Sequence, residues 1–286
     1  MKYLIVGSNG QLGQELQALL RNNGMEFVAF DSRQLDITNK TQVVSVLSSQ
    51  MPDVVLDAAA YTAVDKAEDD GKDANWLVNE VGTKNLAEAA NEIGATMVYV
   101  STDYVFDGTK DSQYLETDAT NPQNEYGRAK LAGEYAVAEF SKKYYIVRTS
   151  WVFGEYGQNF VFTMQKLANR ISELKVVNDQ IGRPTWTKTL AEFLIHLVSS
   201  QSEYGVYHLS NDGEASWFDF AKEILKDESV TIEPVDSNAF PQKAYRPKHS
   251  VMSLEKAKQT GFVIEDWRQA LSEFLKTVNH VAFGEE

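Results

Sequence analysis

The chain has no cysteine, so it can form neither disulfides nor a thiolate metal site. That absence fits a cytoplasmic protein. Histidine is scarce: His196, His208, His249 and His280 are scattered and show no HxxxH spacing. Each reads as a structural or surface residue, and no metal site is expected. Basic residues are outnumbered, 27 against 41 acidic, for a formal charge of −14. Such an acidic surface disfavours nonspecific binding to nucleic acid or membrane. No apolar run approaches the length of a membrane-spanning helix. The first strand begins at once, so no signal peptide is expected. Internal repeats, low-complexity stretches and long linkers are also missing.

What is present begins with Lys2 to Val6, a short apolar run that reads as a buried strand. It leads into Gly7-Ser8-Asn9-Gly10-Gln11-Leu12-Gly13 and then a helical pattern from Glu15 to Leu20. Strand, glycine turn and helix form the context of a dinucleotide site. Gly7 permits the tight turn, Gly10 lets backbone approach a pyrophosphate, and Gly13 lets the helix pack close. The GxxGxxG spacing is looser than GxGxxG. A second strand, Glu26 to Phe30, ends at Asp31, about where an acidic residue meets the adenosine ribose. Ser32 and Arg33 follow, and an arginine there suits a 2′-phosphate. Asp31 favours NAD and Arg33 favours NADP, which leaves NADPH and NADH both open.

Tyr126 and Lys130 lie four residues apart, on one face of a helix. A lysine ammonium beside a tyrosine favours phenolate, and a phenol tuned this way exchanges protons with an alcohol or ketone. Thr102, in Ser101-Thr102-Asp103, offers a hydroxyl to the same oxygen. Strands and helices alternate along the first half, including Val54 to Asp57, a helix from Asn75 to Asn91, Thr96 to Val100 with Thr102 just past its end, and Tyr144 to Val147. Small residues Ala58-Ala59-Ala60 follow the third strand and leave room for a flat ligand. Ligands of open parallel sheets bind at the carboxyl ends of strands, where Gly7, Asp31, Ala58, Thr102 and Thr149 all map. The alternation predicts an α/β chain with a Rossmann-type doubly wound parallel sheet. Its dinucleotide-binding domain comprises residues 1–150 plus about 187–212. A smaller α/β substrate-binding domain comprises 151–186 and 213–286. It holds a helix from Phe160 to Ile171, a strand from Leu174 to Asn178, and Trp217, Phe218 and Phe220. The Asp65 to Asp73 charge cluster reads as a solvated helix face.

At these residues the chain resembles the extended short-chain dehydrogenase/reductases, and within them the dTDP-4-dehydrorhamnose reductases. Besides the glycine turn, the matching segments are Ala58 to Asp65, Ser101 to Phe106, Tyr126-Gly127 through Lys130 to Glu134, Arg148-Thr149-Ser150-Trp151, Asp179 to Thr185, and Arg246 to Ser250. The resemblance implies hydride delivery from NAD(P)H to the C4 ketone of dTDP-4-dehydro-L-rhamnose, a small-molecule nucleotide-sugar substrate. Tyr126 protonates the alkoxide, Lys130 holds the nicotinamide ribose, and Thr102 bonds the ketone oxygen. It also implies cofactor positions at Gly7, Asn9, Gly10, Gln11, Leu12, Gly13, Asp31, Ser32, Arg33, Asp36, Ile37, Ala58, Ala59, Ala60, Tyr61 and Thr62. Substrate positions fall at Thr102, Asp103, Tyr104, Trp151, Asn159, Arg183, Thr185 and Arg246. Bland roles stand beside these: Trp151 as core, Asp103 as a turn residue, Asp36 as a cap near Thr38. Some members of the family form a magnesium-linked dimer. Glu15 matches one ligand position, but Lys188 stands at the later one, and a charged lysine cannot ligate magnesium. A monomer is therefore expected. Two rivals are a nucleotide-sugar dehydratase or epimerase of the same superfamily, and a non-catalytic regulatory subunit. The dehydratase motif Thr-Asp-Glu is here Thr102-Asp103-Tyr104, and a regulatory protein has no need of the intact Thr102, Tyr126 and Lys130 set.

Overall fold

Six parallel strands form the central sheet of the computed structural model, which describes residues 1–282. They are β1 (Lys2–Val6), β2 (Glu26–Phe30), β3 (Val54–Asp57), β4 (Thr96–Thr102), β5 (Tyr144–Thr149) and, much later in the chain, β10 (Gly205–His208). Their spatial order is β10-β5-β4-β3-β1-β2. The chain thus reverses direction across the sheet between β1 and β3, and a ligand crevice opens at such a point. Successive residues of a strand face opposite sides, so β1 serves two cores. Tyr3 and Ile5 pack with Leu16 and Leu20 of α1 (Gln11–Asn22) and with Leu190, Phe193, Leu194 and Leu197 of α7 (Thr187–Ser199). Leu4 and Val6 pack with Val43 and Leu47 of α2 (Lys40–Gln50), Leu86 and Ala90 of α4 (Thr83–Glu92), and Val137 of α5 (Glu125–Phe140). Helices on both faces explain why the strands read as nearly continuous apolar runs. The doubly wound α/β sheet expected from the alternation is the one observed.

A smaller lobe is built from short strands around aromatic side chains. β6 (Val152–Phe153) pairs with β9 (Thr185–Trp186), β7 (Glu173–Val177) with β12 (Thr231–Val235), and β8 (Ile181–Gly182) with β11 (Ala215–Ser216). Phe153, Val161, Leu174, Trp186, Phe220, Trp267 and Phe274 fill its core. They come from those strands, from α6 (Phe160–Ala168) and α8 (Trp217–Ile224), and from α10 (Trp267–Ala282). Ser216 and Asp219 close α8 with a reciprocal capping box.

Several expectations need correction. Met252 pairs with Tyr114, and Ala257 of α9 (Glu255–Gln259), Phe262 and Ile264 join the core beneath α7. Part of 213–286 therefore returns to the larger lobe, because these apolar side chains find their partners on the large sheet. Positions 283–286 and the side chain of His280 lie outside the described residues. The helix read as Asn75 to Asn91 is divided into α3 (Lys72–Trp76), a wider π-helical stretch over Leu77–Gly82, and α4. Asn79 lies in that stretch, and its side chain bonds both the N–H and the carbonyl of Tyr61. Single-turn widening of this kind inside a helix is frequent at functional sites. The Asp65 to Asp73 cluster is no freely solvated face. Asp65 accepts from Arg246 at 2.9 Å and from the Ala244 N–H at 3.0 Å, and Asp69 pairs with Lys243. Thr102 is the last residue of β4 rather than beyond it.

Candidate active site

Gly7 leaves β1 with φ +75°, a conformation that favours glycine. A Cβ there would sit 2.6–2.7 Å from backbone atoms of Ala58 and Ala59, the small residues after β3. A Cβ on Gly13 would come within 2.2 Å of the Gly7 carbonyl oxygen. Backbone from two strand ends and one helix is thus packed too closely for any side chain. Gly10 caps α1 with no side-chain acceptor, which leaves first-turn N–H groups and the positive helix end for an anion. Asn9 Nδ2 donates to Asp31 Oδ2 at 2.8 Å, tying the turn to the end of β2. This cradle fits a dinucleotide pyrophosphate, with Asp31, Ser32 and the exposed Arg33 beyond it.

The cradle opens into a cavity of about 550 Å³. Asn9, Gly10, Gln11, Leu12, Ala58, Ala59, Ala60 and Thr62 line one end, and Thr102, Asp103, Tyr104, Tyr126, Lys130 and Trp151 line the other. Asn124 caps α5 by accepting the Gly127 N–H at 2.7 Å, which sets Tyr126 and Lys130 in the first two turns of that helix. A side chain on Gly127 would strike the Tyr104 carbonyl, so this glycine lets α5 press against the turn after β4. Thr102 Oγ1 donates to Asp103 Oδ1 at 3.1 Å. Asp103 is buried, and its Oδ2 has no hydrogen-bond partner. Burial lifts its carboxyl to about 6, against the pull of the Ser250 and Thr102 hydroxyls.

The expected tuning of Tyr126 by Lys130 is corrected by these positions. Burial and the Asp103 charge push the Tyr126 phenol well above its ordinary value, and only the Thr102 hydroxyl draws it down. Lys130 Nζ lies 4.0 Å from the centre of the Tyr99 ring, deep in the cavity floor. Burial lowers its pKa to about 8, with Asp57 and Glu134 pulling upward. Tyr126 is consequently kept as a neutral phenol, able to donate a proton.

Other candidates are placed elsewhere. Ile37 is buried in the core beneath α2, and Asp36 Oδ1 accepts from the backbone N–H and hydroxyl of Thr38. Tyr61 is held through its backbone by Asn79. Asn159 caps α6 and donates to the Gly154 carbonyl at 2.8 Å. Arg183 is buried 3.6 Å from Asp212, and Thr185 donates to the Ser150 carbonyl at 2.6 Å. Arg246 pairs with Asp65 and lies 5.7 Å from the Tyr104 ring centre. None of these seven residues lines the cavity. Glu15 is buried and accepts from Thr187 Oγ1 at 3.2 Å, while Lys188 pairs with Glu192 at 2.7 Å.

Several lining residues escaped the sequence reading, Trp217 and Asp57 among them. Trp217 stacks on Trp151, with ring centres 3.7 Å apart and planes 12° off parallel. Trp151 holds φ +47°, a conformation rare for a bulky residue and concentrated at functional sites. Nothing local marks a stack between residues so far apart in the chain. Asp57 also lines the cavity, and its position as the last residue of β3 was the available signal.

Residues 1–280 match the family described as RmlD substrate binding domain. A dTDP-4-dehydrorhamnose reductase of Aggregatibacter actinomycetemcomitans is 43% identical, over 94% of this chain and 97% of its own length. The crystal structure of a dTDP-4-dehydrorhamnose reductase from Clostridium acetobutylicum superposes with a TM-score of 0.94 at 42% identity, covering 98% of this chain and 100% of that one. The enzyme of the same name from Bacillus anthracis, solved in complex with NADP, gives 0.93 at 41% identity, over 96% and 99% of the two chains.

Proposed function

The chain belongs to the RmlD substrate binding domain family, and from that premise we propose that it reduces the C4 ketone of dTDP-4-dehydro-β-L-rhamnose to the alcohol of dTDP-β-L-rhamnose. It is an NAD(P)H-dependent oxidoreductase. Bound NADPH or NADH supplies the hydride that C4 accepts, and the protein supplies the proton that the oxygen accepts. Gly7, Gly10 and Gly13 hold the pyrophosphate against the helix end. Thr102 and Tyr126 bond the ketone oxygen, and Tyr126 gives up its phenolic proton as negative charge grows there. Burial and Asp103 disfavour free phenolate, so the proton stays on Tyr126 until an alkoxide develops to take it. Lys130, in the floor of the same cavity, holds the nicotinamide ribose. Trp151 and Trp217 wall the sugar end of the cavity.

One observation carries this reading: the Thr102, Tyr126 and Lys130 side chains share a single cavity with Gly10 of the glycine cradle. The test is Tyr126→Phe, assayed for NAD(P)H oxidation with dTDP-4-dehydro-L-rhamnose and by product identification. Turnover should fall by about 10²–10⁴-fold, the usual worth of a general acid, with cofactor affinity nearly unchanged. Near wild-type turnover in the variant would remove Tyr126 from its role.

A further inference from the structure

Beneath Lys130 the cavity floor holds a carboxylate that neither the glycine cradle nor the Tyr126 chemistry requires. Asp57 is 1% exposed and lines the same cavity as Lys130, itself 2% exposed. Its Oδ1 accepts the Ala59 N–H at 3.2 Å, and its Oδ2 accepts Thr83 Oγ1 at 3.1 Å. Asp57 and Tyr99 are register partners on β3 and β4. Partners on adjacent parallel strands project to the same side, so carboxyl and ring stand next to each other. The Lys130 ammonium lies over that ring.

The other charged or titratable groups around Lys130 are already committed. Glu134, one turn further along α5, receives both Nε and Nη2 of Arg148, at 2.8 and 2.6 Å, and the Ser101 hydroxyl at 2.5 Å. His208 lies on the far side of Arg148, 3.4 Å from Nη1. Tyr99 donates to the Asn79 and Lys130 backbone carbonyls. Tyr126 and Asp103 sit at the reacting end of the cavity. Arg148 neutralises Glu134, which leaves Asp57 as the countercharge for a buried ammonium. No carboxylate oxygen lies within 4 Å of Nζ among the described residues. The attraction therefore acts across the low-dielectric floor rather than through a direct bond.

Building on the reductase reading, we propose that Asp57 is a positioning residue: its carboxylate keeps Lys130 protonated and held in the cavity floor, ready for cofactor. The shifts agree in direction. Asp57 draws Lys130 upward against burial, and Lys130 draws Asp57 downward against burial. With Asp57 near 6 and Lys130 near 8, both groups are charged between about pH 6 and 8.

Asp57→Asn keeps the shape. Its amide oxygen can accept the Ala59 N–H, and its NH₂ can donate to Thr83 Oγ1. NADPH affinity, measured without sugar across pH, should weaken in the wild type above about pH 8, as Lys130 loses its proton. Losing the negative charge lowers the Lys130 pKa, so in Asp57→Asn that weakening should move about one unit towards lower pH. Asp57→Asn with Lys130→Met should show the flat profile of Lys130→Met alone. The second readout is urea unfolding of the ligand-free protein at pH 7. Asp57→Asn should be less favourable to stability in the wild type than in the Lys130→Met variant, in which the buried carboxylate has lost its partner. The proposal requires both results. An unmoved pH limb, or additive changes in stability, would overturn it. Absence of turnover on the dTDP-sugar would overturn the reductase reading instead and leave the unfolding comparison decisive for Asp57.

Discussion

The two lobes meet at one cavity but are specified in different ways. In the larger lobe the candidate site residues follow their strands within a few residues: Gly7 after β1, Asp31 after β2, Ala58 after β3, Asp103 after β4. Local rules of strand, turn and helix are enough to place them. In the smaller lobe the wall depends on long-range pairing. Trp151 rests on Trp217, and a side chain on Gly182 would strike the Trp151 ring. The strands there are two to five residues long and pair across wide gaps in sequence. The cofactor end is therefore sensitive to backbone changes and the sugar end to loss of aromatic surface.

The largest effect expected from this contrast is that of Gly13→Ala. The new methyl would meet the Gly7 carbonyl oxygen at 2.2 Å and Ser8 Cα at 2.8 Å, both backbone. Helix α1 cannot retreat, because Leu16 and Leu20 are fixed in the core. Overpacking of this kind costs about 1–3 kcal/mol, and it distorts the cradle itself. NADPH affinity should fall by at least about tenfold, together with a lower unfolding midpoint. Gly10→Ala is the comparison, since its methyl meets a single atom at 3.3 Å. Equal damage from both substitutions, by calorimetric binding and thermal unfolding, would count against a cradle set by Gly13.

At the sugar end, Trp217→Ala should raise KM for the nucleotide sugar by about tenfold, while the Kd for NADPH stays constant. An aromatic stack is worth about 0.5–1.5 kcal/mol beyond its buried area, which sets that scale. Steady-state kinetics beside direct cofactor titration separate the two. A parallel loss in both would mean that the stack supports the fold rather than the substrate wall.

The same contrast explains what was legible in the sequence. β1, β2 and β3 lie where their apolar patterns put them, because each is buried within the large sheet. The Tyr126–Lys130 spacing was also readable, but not the direction in which Lys130 points. That direction is set by Tyr99 and Asp57 on neighbouring strands, contacts with no sequence period. β12 went unrecognised for a related reason. Its Thr-Ile-Glu-Pro-Val is mostly exposed, and its strand partner is β7, more than fifty residues earlier. Asp65 and Asp69 looked like solvated charges until Lys243 and Arg246 folded back onto them.

The smallest effect expected is one of selectivity within the larger lobe. Asp31 is engaged by Asn9 and by the backbone N–H groups of Arg33 and Gln34, which makes it part of the turn as well as the proposed ribose acceptor. Arg33 follows with an exposed side chain that makes no ion pair among the described residues. Its guanidinium is therefore available for a 2′-phosphate, which only NADPH carries. An exposed, salt-screened ion pair contributes about 0.2–1 kcal/mol, so Arg33→Ala should weaken NADPH by up to roughly fivefold. NADH, with a free 2′-hydroxyl, should bind as before. Raising the salt should narrow the gap between the cofactors in the wild type, since an exposed pair is screened, and should change little in the variant. Equal losses for NADPH and NADH would place Arg33 on the adenine face or in the fold of the turn. Asp31 would then be left as the only residue of this edge that reads the ribose.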